Sequence, residues 1–246
     1  MTVLESRTIR RIVVASITTS LESSGQLEDV LAHLPATTTV QYRKRQMIYG
    51  PGASSRSIYL VITGTVGISQ VAEDGKEVLL EIVRPDELFG EAAFLDFPQR
   101  SERATTIESA TVMSWDVSEM QELVRNRPRL ALALLQMLAQ RNAEFTRRIE
   151  SLSRHSIERR LAQSLIRFSE RHGTLAEDGS VRMMPLTHDL LVRYVGTSRE
   201  VITHHMNLFR KRGCVSYSRH GILLHRDSLE ASLAAPAPAP GVAFDK

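Results

Sequence analysis

Cysteine is almost missing from this chain: Cys214 is the single one in 246 residues. One thiol excludes an intramolecular disulfide and an iron–sulfur site held by cysteines of one chain. A reducing cytoplasm is the expected setting. Long apolar runs are missing too. The best, at residues 130–139, is about ten residues, against the roughly twenty a membrane span needs, so no membrane partner is expected. Glu5, Arg7, Arg10 and Arg11 precede a brief apolar stretch at 12–17, too weak a pattern for a signal peptide. No glycine-rich phosphate loop, metal-ligand cluster or nucleophile–base pair stands out. A nucleotide-using enzyme is therefore the remotest reading; no catalytic residue, metal or cofactor is expected. Scattered histidines argue against a haem sensor.

What is present is an ordinary globular composition, 42% hydrophobic and 24% charged, long enough for one or two domains. The net charge of +3 is small, but its distribution is uneven. Between Arg182 and Arg226 lie eight Lys and Arg residues against only Asp189 and Glu200, with five of the eight histidines. A basic C-terminal quarter suits a nucleic-acid face; the plain alternative is a solvated helix surface.

The pattern changes along the chain. Residues 1–25 read as a loosely structured arm or short helix, and 26–34 as a short helix ended by Pro35. From Thr37 to Asp116 apolar residues alternate, as in Ile58, Leu60 and Ile62, and glycines punctuate the runs. Asp74-Gly75 between two such runs marks a hairpin, and many short strands imply a barrel or sandwich. After Pro128, residues Ala131, Leu135, Leu138, Asn142, Phe145, Ile149 and Leu152 step by four and three. That stripe fits a two-stranded coiled-coil seam, with Asn142 fixing register; a helix packed on its own β-domain also carries such a stripe. His155-Ser156 is a hinge, a second helix runs over 156–171, and 174–180 is a polar loop.

Next come a short helix at 188–195, a turn at Gly196, and a helix at 198–212 closed by Gly213. Thr197 and Glu200 fit a capping box at its start. Ile202, Met206 and Phe209 share its apolar face; Glu200, Thr203, His204, Asn207 and Lys211 lie opposite, where a recognition helix needs polar groups. Residues 215–225 alternate around Arg219-His220-Gly221, a hairpin wing, and an Ala/Pro-rich tail follows.

A second constellation is Phe89-Gly90-Glu91 with Arg100-Ser101. Glycine lets backbone approach a ligand, Arg100 and Ser101 suit a phosphate, and Glu91 suits a ribose hydroxyl. By spacing alone, a turn with a surface salt bridge fits equally well.

Taken together, the glycine-punctuated strands, Phe89-Gly90-Glu91 with Arg100-Ser101, the long helix after Pro128 and Gly196-Thr197-Ser198-Arg199-Glu200 resemble the cyclic-AMP receptor protein/fumarate–nitrate regulator family of bacterial transcription factors. The resemblance covers about residues 26–226. It implies an α+β fold: a cyclic-nucleotide-binding-type β-roll (26–127), a dimerisation helix (128–155), a winged helix-turn-helix (156–230) and a tail (231–246). It implies that Gly90 and Glu91 line a ribose and that Arg100 and Ser101 hold a cyclic phosphate, cyclic AMP or a similar cyclic nucleotide being the ligand. The hydroxyl pair that would meet adenine aligns with Phe145 and Thr146; Phe145 departs from that pattern. Glu102, where the family carries a small residue, also departs, and strand alternation predicts that it points away from Ser101. The same resemblance places Arg199, Glu200 and His204 on base edges, where Arg matches guanine and Glu accepts from cytosine; His204 replaces the family's usual Arg. Thr203 joins this face, and Thr187, Ser198 and His220 become phosphate contacts. The implied protein is a homodimer acting with RNA polymerase on double-stranded palindromic promoter DNA. Its heads are reoriented by ligand, or, with a degenerate pocket, act without an effector.

Overall fold

The computed structural model describes residues 28–72, 75–218 and 221–234. The expected N-terminal arm, Asp74, His220 and the tail beyond 234 lie outside these residues. Among the described residues of the first half are eight strands: β1 (Thr39–Tyr42), β2 (Met47–Tyr49), β3 (Ser57–Thr63), β4 (Val66–Val71), β5 (Glu77–Val83), β6 (Leu88–Phe89), β7 (Glu102–Thr106) and β8 (Ala110–Asp116). They pair antiparallel in two four-stranded sheets, ordered β1-β8-β3-β6 and β2-β7-β4-β5. Their inward side chains, among them Val61, Val66, Val83, Phe89, Ala104 and Val112, make one core. This is the β-roll that the family resemblance implied, where alternation alone allowed a barrel or a sandwich. The short helix expected at 26–34 is a single 3-10 turn, Val30–His33.

Helix α1 (Val117–Asn126) was not anticipated, although its start signal is in the sequence: Asp116 and Glu119 form a reciprocal capping box. Helix α2 (Pro128–Arg154) begins with proline in its first turn, where the missing N–H costs nothing. It carries two adjacent stripes with four–three steps. Leu130, Leu134, Met137, Arg141, Glu144, Arg148 and Ser151 form one of them. Its first half packs on Ile58, Leu88 and Trp115 of the roll. The other is the stripe expected as a seam, and it faces away: Leu135 and Ile149 are each 65% exposed, and Leu138 and Leu152 are also exposed. The packing on the β-domain thus uses the neighbouring stripe, and the stripe expected as a seam is left uncovered by this chain.

The C-terminal half follows the His155-Ser156 break. Ser156 caps helix α3 (Ile157–His172). The stretch expected as a polar loop is shorter than expected, because β9 (Gly173–Leu175) and β10 (Val181–Met183) pair at its two ends. Then come α4 (His188–Val195), α5 (Arg199–Lys211), β11 (Val215–Ser218), β12 (Gly221–Leu224) and α6 (Arg226–Ala234). The strands make a sheet ordered β11-β12-β10-β9, so the wing is an extension of the sheet that opens this half. Residues 231–234, expected as part of the tail, are the end of α6.

One core serves the whole C-terminal half, with Leu161, Leu165, Leu191, Ile202, Met206 and Phe209 at its centre. Leu79 and Ile82 of β5 belong to the same core, so the roll and the C-terminal half are packed together through α4 and β5. Around this apolar contact Arg193 pairs with Glu77 at 2.6 Å, and Arg148 donates to the carbonyls of Leu79, Leu80 and Tyr194.

Candidate nucleic-acid interface and ligand cradle

Helices α4 and α5 are joined by Gly196, whose φ of +73° is the left-handed conformation that glycine adopts without steric cost. The cap of α5 is Ser198, whose Oγ accepts from the Val201 N–H. Thr197 lies one residue outside, so the expected Thr197–Glu200 box does not form. Two neighbouring hydroxyl residues competed for the cap, and the residue after the left-handed glycine is spent on the turn. The Glu200 carboxyl is held below its usual range, chiefly by the Ser198 side chain.

Ile202, Met206 and Phe209 face the core, and Arg199, Glu200 and His204 stand exposed on the first turns of α5. Among the described residues the Arg199 side chain is held only by Asp189, at 3.0 Å, and both side chains are exposed. Thr203 is a strut as much as a surface group: its hydroxyl donates to the Arg199 carbonyl at 2.8 Å and meets His188 Nδ1 at 3.0 Å, tying α5 to α4. Asn207 accepts from the Tyr217 hydroxyl at 3.1 Å and so braces the wing. Thr187 is exposed and caps α4, accepting from the Leu190 N–H at 3.2 Å. His220 lies outside the described residues.

The structure brings Gly90, Glu91 and Arg100 together. Gly90 has φ +81°, and a Cβ there would stand 3.0 Å from the Tyr59 ring and 3.3 Å from the Arg100 guanidinium. Only glycine fits. Arg100 is 3% exposed. It donates to the Gly90 carbonyl at 2.9 Å and to the Ser57 carbonyl, and its guanidinium carbon lies 4.4 Å from the Tyr49 ring centroid. Its Nε is buried without a partner among the described residues. Glu91 pairs with Arg141 at 2.5 Å.

Ser101 and Glu102 alternate as expected, but with the faces reversed. Ser101 is exposed, whereas Glu102 shares the inward side with Ala104 and accepts the Tyr49 hydroxyl at 2.7 Å. Burial, and then the Glu102 charge, push the Tyr49 hydroxyl well above its ordinary value. Phe145 and Thr146 do not join this group within the chain. Phe145 opens onto a cavity on the other side of Glu81, and exposed Thr146 donates to the Asn142 carbonyl.

Sequence reasoning missed the groups that connect these parts. Arg141, buried on the core-facing stripe of α2, binds Glu91, the Leu88 carbonyl at 2.8 Å and Glu81 at 3.0 Å. Glu81 lies 4.0 Å from Arg171 of α3, which also pairs with Glu87 at 2.9 Å and Glu144 at 2.8 Å. A chain of charges thus runs from Glu91 in the roll to the first helix of the C-terminal half. Burial pushes Glu81 up to about 7 despite Arg141. Burial also works to raise Glu87, but Arg171 and Arg84 outweigh it and hold that carboxyl at about 2. The available signal was charged residues at 141, 144 and 148 in a stripe that is apolar at 130, 134 and 137.

Comparison with known proteins agrees with this geometry. Residues 39–127 match the model of the cyclic nucleotide-binding domain, and residues 159–232 match that of the Crp-like helix-turn-helix domain. The chain is 30% identical over 189 residues, 75% of its length, to the CRP-like cAMP-activated global transcriptional regulator of Mycobacterium tuberculosis, of which it covers 83%. The chain belongs to the CRP/FNR family of transcription regulators.

Another relative, transcriptional regulator SdrP of Thermus thermophilus, is 33% identical over 180 residues, 72% of this chain and 84% of SdrP. The fold is also that of FixK2 from Bradyrhizobium japonicum, with a TM-score of 0.70 at 22% identity, over 80% of this chain and 97% of FixK2. CRP/FNR proteins are regulators rather than enzymes. The α+β architecture of β-roll and helix-turn-helix is the family's own. Among the described residues no helix is long and apolar enough to cross a membrane.

Proposed function

We propose that this CRP/FNR regulator is a cytoplasmic homodimer that binds palindromic promoter DNA, works with RNA polymerase, and is controlled by a small ligand in the β-roll. The observation that carries the DNA reading is the exposure of Arg199, Glu200 and His204 together on α5, behind a helix-turn-helix core that leaves these side chains almost uncommitted. Arg199 would read guanine and Glu200 cytosine, with His204 at the third position and Thr203 supporting them. Thr187, Ser198 and His220 would face phosphates, which set orientation rather than sequence. Dimerisation through the exposed stripe of α2 would present two recognition helices to half-sites about 34 Å apart.

Control would work through the junction of roll and head. A ligand favouring one placement of the head shifts the population only by its difference in affinity for the two placements. A cyclic nucleotide, cyclic AMP above all, is the first ligand for Gly90, Glu91, Arg100 and Ser101. The unpartnered Nε of Arg100 fits a phosphate, and Glu91 keeps one carboxylate oxygen beyond its bond to Arg141. Phe145 and Thr146 would reach the base in the assembled dimer.

A second reading is favoured by Glu102. Its carboxylate, on the Tyr49 hydroxyl beside Arg100, places negative charge where a cyclic phosphate would arrive. Under that reading the roll is held by its own charges, and the regulator acts without an effector or with another one. Calorimetric titration with cyclic AMP and cyclic GMP separates the two readings: saturable heat supports the first, and no heat from folded dimer supports the second. The dimer itself is tested by sedimentation. The wild-type should sediment as a dimer and Leu135→Glu as a monomer, with palindrome affinity reduced roughly a hundredfold or more. A monomeric wild-type that binds palindromes fully would contradict the proposal.

A further inference from the structure

The cavity onto which Phe145 opens lies between the roll and the head. It is bordered by β5, α2, α3 and Tyr194 of α4, has a volume of about 90 Å3, and includes Phe145, Arg148, Arg167, Phe168 and Arg171 in its wall. Its charges do not balance. Every carboxylate in the wall is already paired: Glu81 with Arg141, Glu144 with Arg171 of the same wall, and Glu170 with Arg226 at 2.7 Å. Among the described residues Arg148 is bonded only to carbonyl oxygens, with no anion among its partners, and lies 4.2 Å from the Tyr194 ring centroid. Arg167 has no hydrogen bond or ion pair among the described residues, and its Nε is buried without a partner. Burial lowers the hold of Arg148 on its proton; Tyr194 works against that, and the neighbouring charge of Arg167 adds to it. Arg147 stands exposed on the rim, also without a carboxylate among the described residues.

Two neighbouring half-buried guanidiniums with no counter-charge among the described residues are an unfavourable arrangement unless an anion arrives. Guanidinium forks match phosphoryl oxygens in shape and charge. We propose that this cavity is a second effector site, separate from the Gly90–Arg100 cradle, and that it binds a phosphoryl group through Arg167 with Arg147 and Arg148 around it. The volume suits a phosphoryl group and is too small for a base and sugar as well. The group is therefore free phosphate or the phosphorylated end of a larger molecule. Because roll, long helix and head all border the cavity, the bound anion would favour the docked placement of the head.

The test is thermal unfolding of the full chain titrated with inorganic phosphate or with adenosine 5′-monophosphate, at constant ionic strength against chloride. The wild-type midpoint should rise, by roughly 5 °C once the ligand exceeds its Kd a hundredfold. Arg167→Gln should abolish the rise. A rise with inorganic phosphate means that the free ion suffices; a rise with the nucleotide alone means that the phosphoryl group arrives on a nucleoside. Either supports the site when Arg167→Gln removes it. No rise with either ligand, or a rise that survives Arg167→Gln and so belongs to the β-roll cradle or elsewhere, overturns the proposal. Without added anion, Arg167→Gln should unfold at or above the wild-type temperature, because a charge facing Arg148 has gone. A lower midpoint contradicts the proposal, since Arg167 would then already be neutralised within the protein.

Discussion

Arg100 and Arg199 are the same side chain in opposite settings. Arg100 is buried in the roll, with two carbonyl oxygens and a tyrosine ring as partners. Arg199 stands in water, held by one equally exposed aspartate. An exposed ion pair contributes little and is readily exchanged, whereas a buried cation stripped of its partners is costly. The DNA face is therefore ready to exchange its few contacts for phosphates and bases. The ligand cradle is already satisfied by the protein, and any effector must trade against Glu102, Tyr49 and the pairing of Glu91 with Arg141. On the proposed function, sequence reading would rest on loosely held groups and regulation on tightly held ones.

The sharpest way to break this comparison is to remove each arginine. Arg100→Ala should cost about 2–4 kcal/mol of unfolding free energy, because it leaves two carbonyls and an aromatic cage unfilled. Arg199→Ala should stay within about 0.5 kcal/mol of wild-type. Denaturant unfolding of both variants checks this, and equal losses would erase the distinction. A smaller effect belongs to specificity. Glu200→Ala should relax the preference for a C·G pair roughly tenfold, and at most about a hundredfold, with the unfolding midpoint unchanged. Competition binding against substituted duplexes measures it, and an unaltered preference would remove Glu200 from the base-reading set.

The smallest effect concerns the charge chain between the two regions. The folded value of Glu81, about 7, is above its ordinary 4.5. The folded protein therefore keeps this proton where the unfolded chain has lost it, and stability falls as pH rises through that window. Relative to Glu81→Gln, the wild-type should lose about 1 kcal/mol between pH 6 and pH 8. Parallel pH profiles for the two proteins would place Glu81 outside the link.

How much of this was legible beforehand depended on the length and regularity of each signal. The helix-turn-helix was visible because Gly196 and Gly213 bracket an apolar face at 202, 206 and 209. Strands β9 and β10 were not, since three residues cannot establish alternation. Helix α1 was lost for another reason: its cap, Asp116, is also the last residue of β8, so the strand pattern masked the start of the helix. On α2 the outward stripe drew the eye because it is apolar throughout but for Asn142, while the stripe beside it changes from leucine to arginine half-way along. That change carries Arg141 and Arg148, the groups that join cradle, cavity and head. The grouping of Gly90, Glu91 and Arg100 was legible from the motif; which internal partners each would find was not, because those partners come from Ser57, Tyr49 and Arg141, far away in sequence.

The central claim, a dimer reading DNA through paired α5 helices, is tested most directly by selecting binding sites from randomised duplex DNA with the full-length chain. The account predicts enrichment of a palindrome whose half-sites are centred about one helical turn, roughly 34 Å, apart. A single unrepeated half-site, or no enrichment by a folded protein, would contradict it.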